Sequence, residues 1–312
     1  MTTLPQPSIA SAMADRPLVL DGGLSTELER RGHDISGRLW SARLLLDAPE
    51  AVVEVHEAFL RAGAEVITTA SYQATPEGFA RAGFDPATGE TLLKRSVELA
   101  QQARQAVGGG WIAGSVGPYG ALLADGSEYT GAYGEDVDLQ RLRRFHRPRL
   151  QILAESGVDV LAVETVPSVL EVEALILELA ELAHPAWLSL TVTTGADGVV
   201  RTRRGEPAAE AFALAADVDA IIAVGVNCTE PEGLSAAIQV AAKASGKPVI
   251  AYPNSGEGWD AEARTWNGRS SAASGFGAAA VSDWLDAGAR MVGGCCRVGP
   301  DIIADLARQF AE

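Results

Sequence analysis

All three thiols of this chain sit in two short stretches, Gly225-Val226-Asn227-Cys228 and Gly293-Gly294-Cys295-Cys296. Three thiolates with one open position are the ligand set of a tetrahedral zinc site that admits a substrate. Each stretch closes an apolar run, Ala220 to Val226 and Ala289 to Gly294, that reads as a buried β-strand. Neighbouring strand residues point to opposite faces, so Cys295 and Cys296 reach one ion only where the backbone leaves strand geometry. The two glycines before them tolerate such conformations. Spacing alone leaves two other readings open. The thiols could pack as small hydrophobes, or Cys295 and Cys296 could form a vicinal disulfide that acts as a redox switch. Zinc cysteines more often come as C-x-x-C pairs.

Two carboxylates also follow apolar runs, Asp21 after Leu18-Val19-Leu20 and Glu164 after Val158 to Val163. At one site they could hold a substrate ammonium by charge-assisted hydrogen bonds. The bland alternative is that each caps a nearby helix. A carboxylate pair also suggests glycoside hydrolysis, but at 6% aromatic residues the chain offers no particular sugar platform. None of the four histidines follows a strand candidate, and no Gly-x-Ser-x-Gly elbow is present. The histidines therefore read as structural or solvent-facing. Tyr72, Tyr119, Tyr129, Tyr133, Trp259 and Trp266 fall in long loops, and Trp40 in an early one. Such rings could face a methylated cation or simply fill space.

These residues need elements to bring them together. Eight short apolar runs alternate with helical patterns: 18–20, 65–70, 111–116, 158–163, 187–192, 220–226, 248–252 and 291–294. Continuous apolar strands indicate burial on both faces. An eightfold alternation predicts a single (β/α)₈ TIM barrel. An open doubly wound sheet is the runner-up, but the first strand runs into Asp21-Gly22-Gly23 rather than a dinucleotide fingerprint. Active sites of such barrels gather at the C-terminal ends of the strands. Asp21, Ser71, Glu164, Asn227, Cys228, Asn254, Cys295 and Cys296 all stand there. Residues 1–15 read as a flexible tail and 16–312 as the barrel.

The 312 residues carry a formal net charge of -16, with 41 acidic and 25 basic side chains. That balance disfavours nucleic acid, whose binding rests on cationic surface. The first 17 residues have no apolar signal core, and no apolar run approaches a membrane span. An odd, small number of cysteines suggests reduced thiols and a cytoplasmic setting.

Several stretches together resemble the zinc-dependent homocysteine S-methyltransferases, and among them the type using S-methylmethionine. They are Leu20-Asp21-Gly22-Gly23, Thr69-Ala70-Ser71-Tyr72-Gln73-Ala74, Gly114 to Gly120, Asp125-Gly126-Ser127-Glu128-Tyr129, Glu164-Thr165, Gly225 to Cys228, Tyr252 to Glu257 and Gly293 to Arg297. The resemblance implies a (β/α)₈ barrel with Cys228, Cys295 and Cys296 as ligands of a Zn2+ cofactor. It implies a homocysteine site at Asp21, Gly22, Gly23, Ser71, Glu164 and Asn227. Trp40, Tyr72, Tyr129 and Asn254 would lie on the donor side. The expected reaction moves a methyl group from S-methylmethionine, or secondarily S-adenosylmethionine, to the homocysteine thiol. Betaine-using relatives share the zinc cysteines, so a betaine donor is the alternative within the family. A vicinal-thiol redox or zinc-sensing barrel is the alternative outside it.

Overall fold

A computed structural model describes residues 6–35, 40–256, 258–260, 265–267 and 276–311. Eight parallel strands form one sheet: β1 (Leu18–Val19), β2 (Val66–Thr68), β3 (Trp111–Val116), β4 (Val160–Val166), β5 (Ala186–Leu190), β8 (Ile221–Asn227), β9 (Val249–Tyr252) and β12 (Ala289–Val292). Their order around the sheet is β1-β12-β9-β8-β5-β4-β3-β2. The first and last members also meet. Glu65 N donates to Val19 O at 2.8 Å, Asp21 N donates to Val66 O at 3.0 Å, and Leu20 bridges Val66 in parallel. The barrel is closed, as the alternation predicts.

Strand parity decides what faces the axis. Along β4, Val160 and Ala162 belong to the inner cluster while Leu161 and Val163 pack outward under the helices. Glu164 follows in the inward register. The same parity on β3 puts Trp111, Ala113 and then Ser115 inward, and on β9 Ile250 and then Tyr252. The interior is thus apolar below and polar at the top. Trp187 forms the boundary, its Nε1 donating to the Tyr252 hydroxyl at 3.0 Å.

The bottom is plugged by a helix, Ile9–Asp15, where the sequence reading expects a flexible tail. Ser8 caps it, accepting from Ser11 N at 3.2 Å. Its buried Ile9, Ala12 and Met13 join the inner cluster beside Leu18 and Met291. A seven-residue helix is marginal alone, so this packing is what orders it.

Other departures are local. The helix before β3 runs Pro86–Val107, starting where Asp85 accepts from Thr88 N and Pro86 suits a first turn. The expected strand 187–192 ends at Leu190, and the chain goes on into a hairpin of β6 (Val192–Thr194) and β7 (Val200–Thr202). A second hairpin pairs β10 (Gly258–Asp260) with β11 (Thr265–Asn267). The loop after β3 contains two helical turns, Tyr119–Leu123 and Ser127–Tyr129. No helix among the described residues is long and apolar enough to cross a membrane.

Candidate metal centre and substrate pocket

Cys228 ends β8 in a left-handed conformation, φ 45°. Such a φ is rare for a residue with a Cβ, and its neighbours hold it. The Cys228 carbonyl accepts from Thr191 Oγ1 at 3.1 Å and from the Arg203 guanidinium at 3.5 Å. Cys295 N donates to Pro253 O at 2.8 Å. Cys296 N donates to Asn254 Oδ1 at 3.2 Å, and its carbonyl accepts from Ser255 N at 3.0 Å. The ends of β8, β9 and β12 therefore fix one another. The three cysteine sulfurs lie within 4.8 Å of one another.

The glycines serve a purpose other than the expected one. Neither Gly293 nor Gly294 adopts a positive φ. They permit close approach: a Cβ on Gly294 would stand 2.1 Å from Val298 Cγ1, and one on Gly293 2.6 Å from Asp21 O. Gly22 and Gly23 face the same seam, where a Cβ would meet Val298 O at 2.3 Å and Cys295 O at 2.6 Å respectively. Gly23 N donates to Val298 O and Gly294 N to Asp21 O, both at 2.9 Å. The loop after β1 and the cysteine loop after β12 are in backbone contact.

Cys228 and Cys295 are joined as a disulfide, and Cys296 is free. The pairing joins two strand ends and so differs from the vicinal Cys295–Cys296 disulfide of the redox-switch reading. The Cα atoms of Cys228 and Cys295 stand 5.6 Å apart, a separation that suits a disulfide. The two strand ends, rather than adjacent residues of one strand, bring the sulfurs together. The donor set also fits a metal ion. Ligands held at ~2.3 Å in a tetrahedron stand about 3.8 Å apart, so reduction and side-chain rotation would let the three sulfurs share one ion. Burial pushes the Cys296 thiol up to about 11, and the charge of a bound cation reverses that preference.

Beside the sulfurs lies a cavity of about 120 Å³, small against the ~300–1,000 Å³ of drug-sized sites. Its enclosed part suits a small metabolite. Asp21 forms one wall, 1% exposed, accepting from Thr68 N at 2.7 Å and Thr68 Oγ1 at 3.1 Å. Burial holds its carboxyl well above the usual range, and the nearby Glu164 carboxylate adds to the shift. Glu164 accepts from Ser115 Oγ and is hydrogen-bonded to Tyr252. Burial over the apolar barrel interior raises it to about 7. Neither carboxyl is in an ion pair among the described residues. A substrate ammonium would supply the cation that both lack.

Asp21, Gly22, Gly23, Glu164, Asn227, Tyr72, Tyr129 and the three cysteines all line this cavity. Ser71 does not. Its hydroxyl lies beneath the wall, donating to Ser115 O at 2.7 Å and bonded to Thr69 Oγ1 at 2.6 Å. Asn254 is also absent from the lining and instead holds the Cys296 amide. The Asn227 amide is engaged by Thr165: Oδ1 accepts from Thr165 N at 2.8 Å and Nδ2 donates to Thr165 Oγ1 at 2.7 Å. Thr165 has φ 63°, where the β4–β5 register slips, so Asn227 fixes the bend that carries Glu164. The side chains of Trp40, Trp259 and Trp266 lie outside the described residues. Thr68, Ser115 and Tyr252 are pocket residues that sequence reading passed over. Counting inward parity along β2, β3 and β9 would have found them.

A closed barrel whose mouth gathers three cysteine sulfurs and two buried carboxyls around one small cavity defines the class: a TIM-barrel enzyme acting on a small molecule. A sequence model of the homocysteine S-methyltransferase family matches residues 18–310. The homocysteine S-methyltransferase of Escherichia coli K12 is 44% identical over 305 residues, covering 93% of this chain and 94% of that one. A selenocysteine methyltransferase of Astragalus bisulcatus is 42% identical, covering 94% and 92%. The solved homocysteine methyltransferase MmuM of Escherichia coli superposes in its metallated form with TM-score 0.82 at 40% identity, covering 96% of this chain and 98% of that one. Its oxidized form gives the same TM-score. The chain belongs to the homocysteine S-methyltransferase family.

Proposed function

We propose that this protein transfers a methyl group from S-methylmethionine to the thiol of homocysteine, giving methionine, with S-adenosylmethionine as a secondary donor. The observation that carries the reading is the convergence of three cysteine sulfurs beside two buried carboxyls without a cation. Cys228, Cys295 and Cys296 would hold Zn2+. When bound, the ion supplies charge that favours the thiolate form of a sulfur joining it. The MmuM structure in metallated form supports a metal in this family.

The protein's own residues supply position. Asp21 and Glu164 would take the homocysteine ammonium, and the Gly22-Gly23 backbone borders the same space. The chemistry is a displacement. The homocysteine sulfur, having lost its proton, bonds to the methyl carbon while the carbon–sulfonium bond breaks. The electron pair leaves with the donor sulfur, which departs as a neutral thioether. That leaving group needs no general acid, and among the described residues no histidine lines the cavity. Holding the sulfurs in line is therefore the main catalytic demand, an effect that can reach several kcal/mol. A need for reduced thiols would suit a reducing, cytoplasmic setting.

The test is methionine formation by reduced, zinc-loaded protein given homocysteine with S-methylmethionine, S-adenosylmethionine or betaine. Product from S-methylmethionine is expected, with less from S-adenosylmethionine. Product from betaine alone would overturn the donor, and product from none would overturn the reaction.

A further inference from the structure

The loop between β3 and the helix Leu139–Glu155 carries a buried carboxylate with no role in the reaction proposed above. Glu128 sits in the turn Ser127–Tyr129 and is 4% exposed. Its Oε2 is buried without a hydrogen-bond partner, and the group is in no ion pair among the described residues. The amides of Gly126 and of Glu128 itself lend it some support, while burial raises its pKa. The turn is held firmly. A Cβ on Gly120 would stand 2.3 Å from Glu128 N, so the helix Tyr119–Leu123 packs directly on it.

Its neighbours are the cavity's aromatic residues. Tyr129, next in the chain, lines the cavity and is hydrogen-bonded to the Cys296 thiol. The charge of Glu128 is felt at Tyr72, Tyr129 and Cys296. Two tyrosine rings thus line the pocket beside one of its sulfurs, and the buried Glu128 carboxylate stands outside that lining, close enough for its charge to act on both rings. A buried carboxylate without a partner is unfavourable unless a cation joins it. Anionic charge with aromatic faces is the chemistry that holds methylated cations. Homocysteine brings one ammonium, for which Asp21 and Glu164 are already placed. The methyl donor brings a further positive charge, on the reacting sulfur.

We propose that Glu128 is the counter-charge for the cationic sulfur of the methyl donor, with Tyr72 and Tyr129 beside the same cation. This rests on the sulfonium-donor reading above. It also specifies where the energy goes. The donor sulfur loses its charge as the methyl group departs, so the attraction is strongest before reaction. Glu128 should therefore lower the donor KM without raising kcat.

The experiment is calorimetric binding of S-methylmethionine to zinc-loaded protein without homocysteine, in wild type and Glu128→Gln. Methionine, which has the same headgroup and a neutral thioether, is titrated in parallel. The variant should bind S-methylmethionine at least tenfold more weakly, about 1.4 kcal/mol, and methionine as wild type does. Steady-state assays should show a raised donor KM with kcat not reduced and homocysteine KM unchanged. Glu128→Asp keeps the charge and should lie between the two. Equal binding of S-methylmethionine, equal loss of methionine, or a higher homocysteine KM would each overturn the assignment. If Glu128→Gln fails to fold, Glu128→Asp that binds S-methylmethionine more weakly by less than tenfold and methionine as wild type does supports it, and equal weakening of both ligands in that variant overturns it. Wild type that binds the donor yet forms no methionine would count against the reaction and leave the binding comparison intact.

Discussion

Glu164 combines a fixed position with a labile charge. Strand parity aims it over the apolar barrel interior, and Ser115 and Tyr252 hold it there. Its carboxyl rises from 4.5 to about 7 on folding. A raised carboxyl stabilises the fold fully below pH 4.5, and that contribution is lost as pH rises through about 7. Asp21 is raised as well and has the same sign. For Glu164 alone the upper bound is on the order of 3 kcal/mol. Urea unfolding of the reduced, metal-free protein at pH 5 and pH 8 should show a smaller loss of stability for Glu164→Gln than for wild type. Equal losses would mean that Glu164 ionises normally. The same ionisation prepares the group for an ammonium, so homocysteine affinity should improve over the same pH range.

Among the elements, the seam between β1 and β12 matters most. Gly22, Gly23, Gly293 and Gly294 let the Asp21 loop lie against the cysteine loop. Gly294→Ala would place a Cβ 2.1 Å from Val298 Cγ1. Such overpacking typically destabilises by about 1–3 kcal/mol, and here it also displaces Cys295 and Cys296. The variant should show a lower denaturation midpoint and substoichiometric zinc. A wild-type zinc content would show that the seam does not set the ligands. The sequence makes these glycines visible but suggests the wrong reason, because a clash with Val298 four residues on depends on tertiary packing. Apolar runs followed by polar residues reveal the eight strands and most of the cavity wall. Ser71 and Asn254 stand outside the cavity lining, which the sequence does not show because strand-end position does not say which way a loop side chain turns. The Ile9–Asp15 helix was missed because its order comes from the barrel floor rather than from its own propensity. Arg203, which braces Cys228, lies just after a hairpin whose Asp197-Gly198 turn signal is legible in the sequence but reads there as part of a strand-to-strand connection.

At the scale of the whole molecule, closure makes the site. Cys228 and Cys295 are 67 residues apart, and Asp21 lies at the far end of the chain from the cysteine loop it touches. Only a barrel that joins β1 to both β2 and β12 sets these groups around one space. The central claim is that the three sulfurs bind one ion and leave a position for the substrate sulfur. X-ray absorption of reduced, zinc-loaded protein tests it directly, before and after homocysteine is added. The account predicts three sulfur neighbours at ~2.3 Å, rising to four with homocysteine, and loss of the ion in Cys228→Ala. A sulfur count that homocysteine leaves unchanged, or zinc retained in Cys228→Ala, would contradict it.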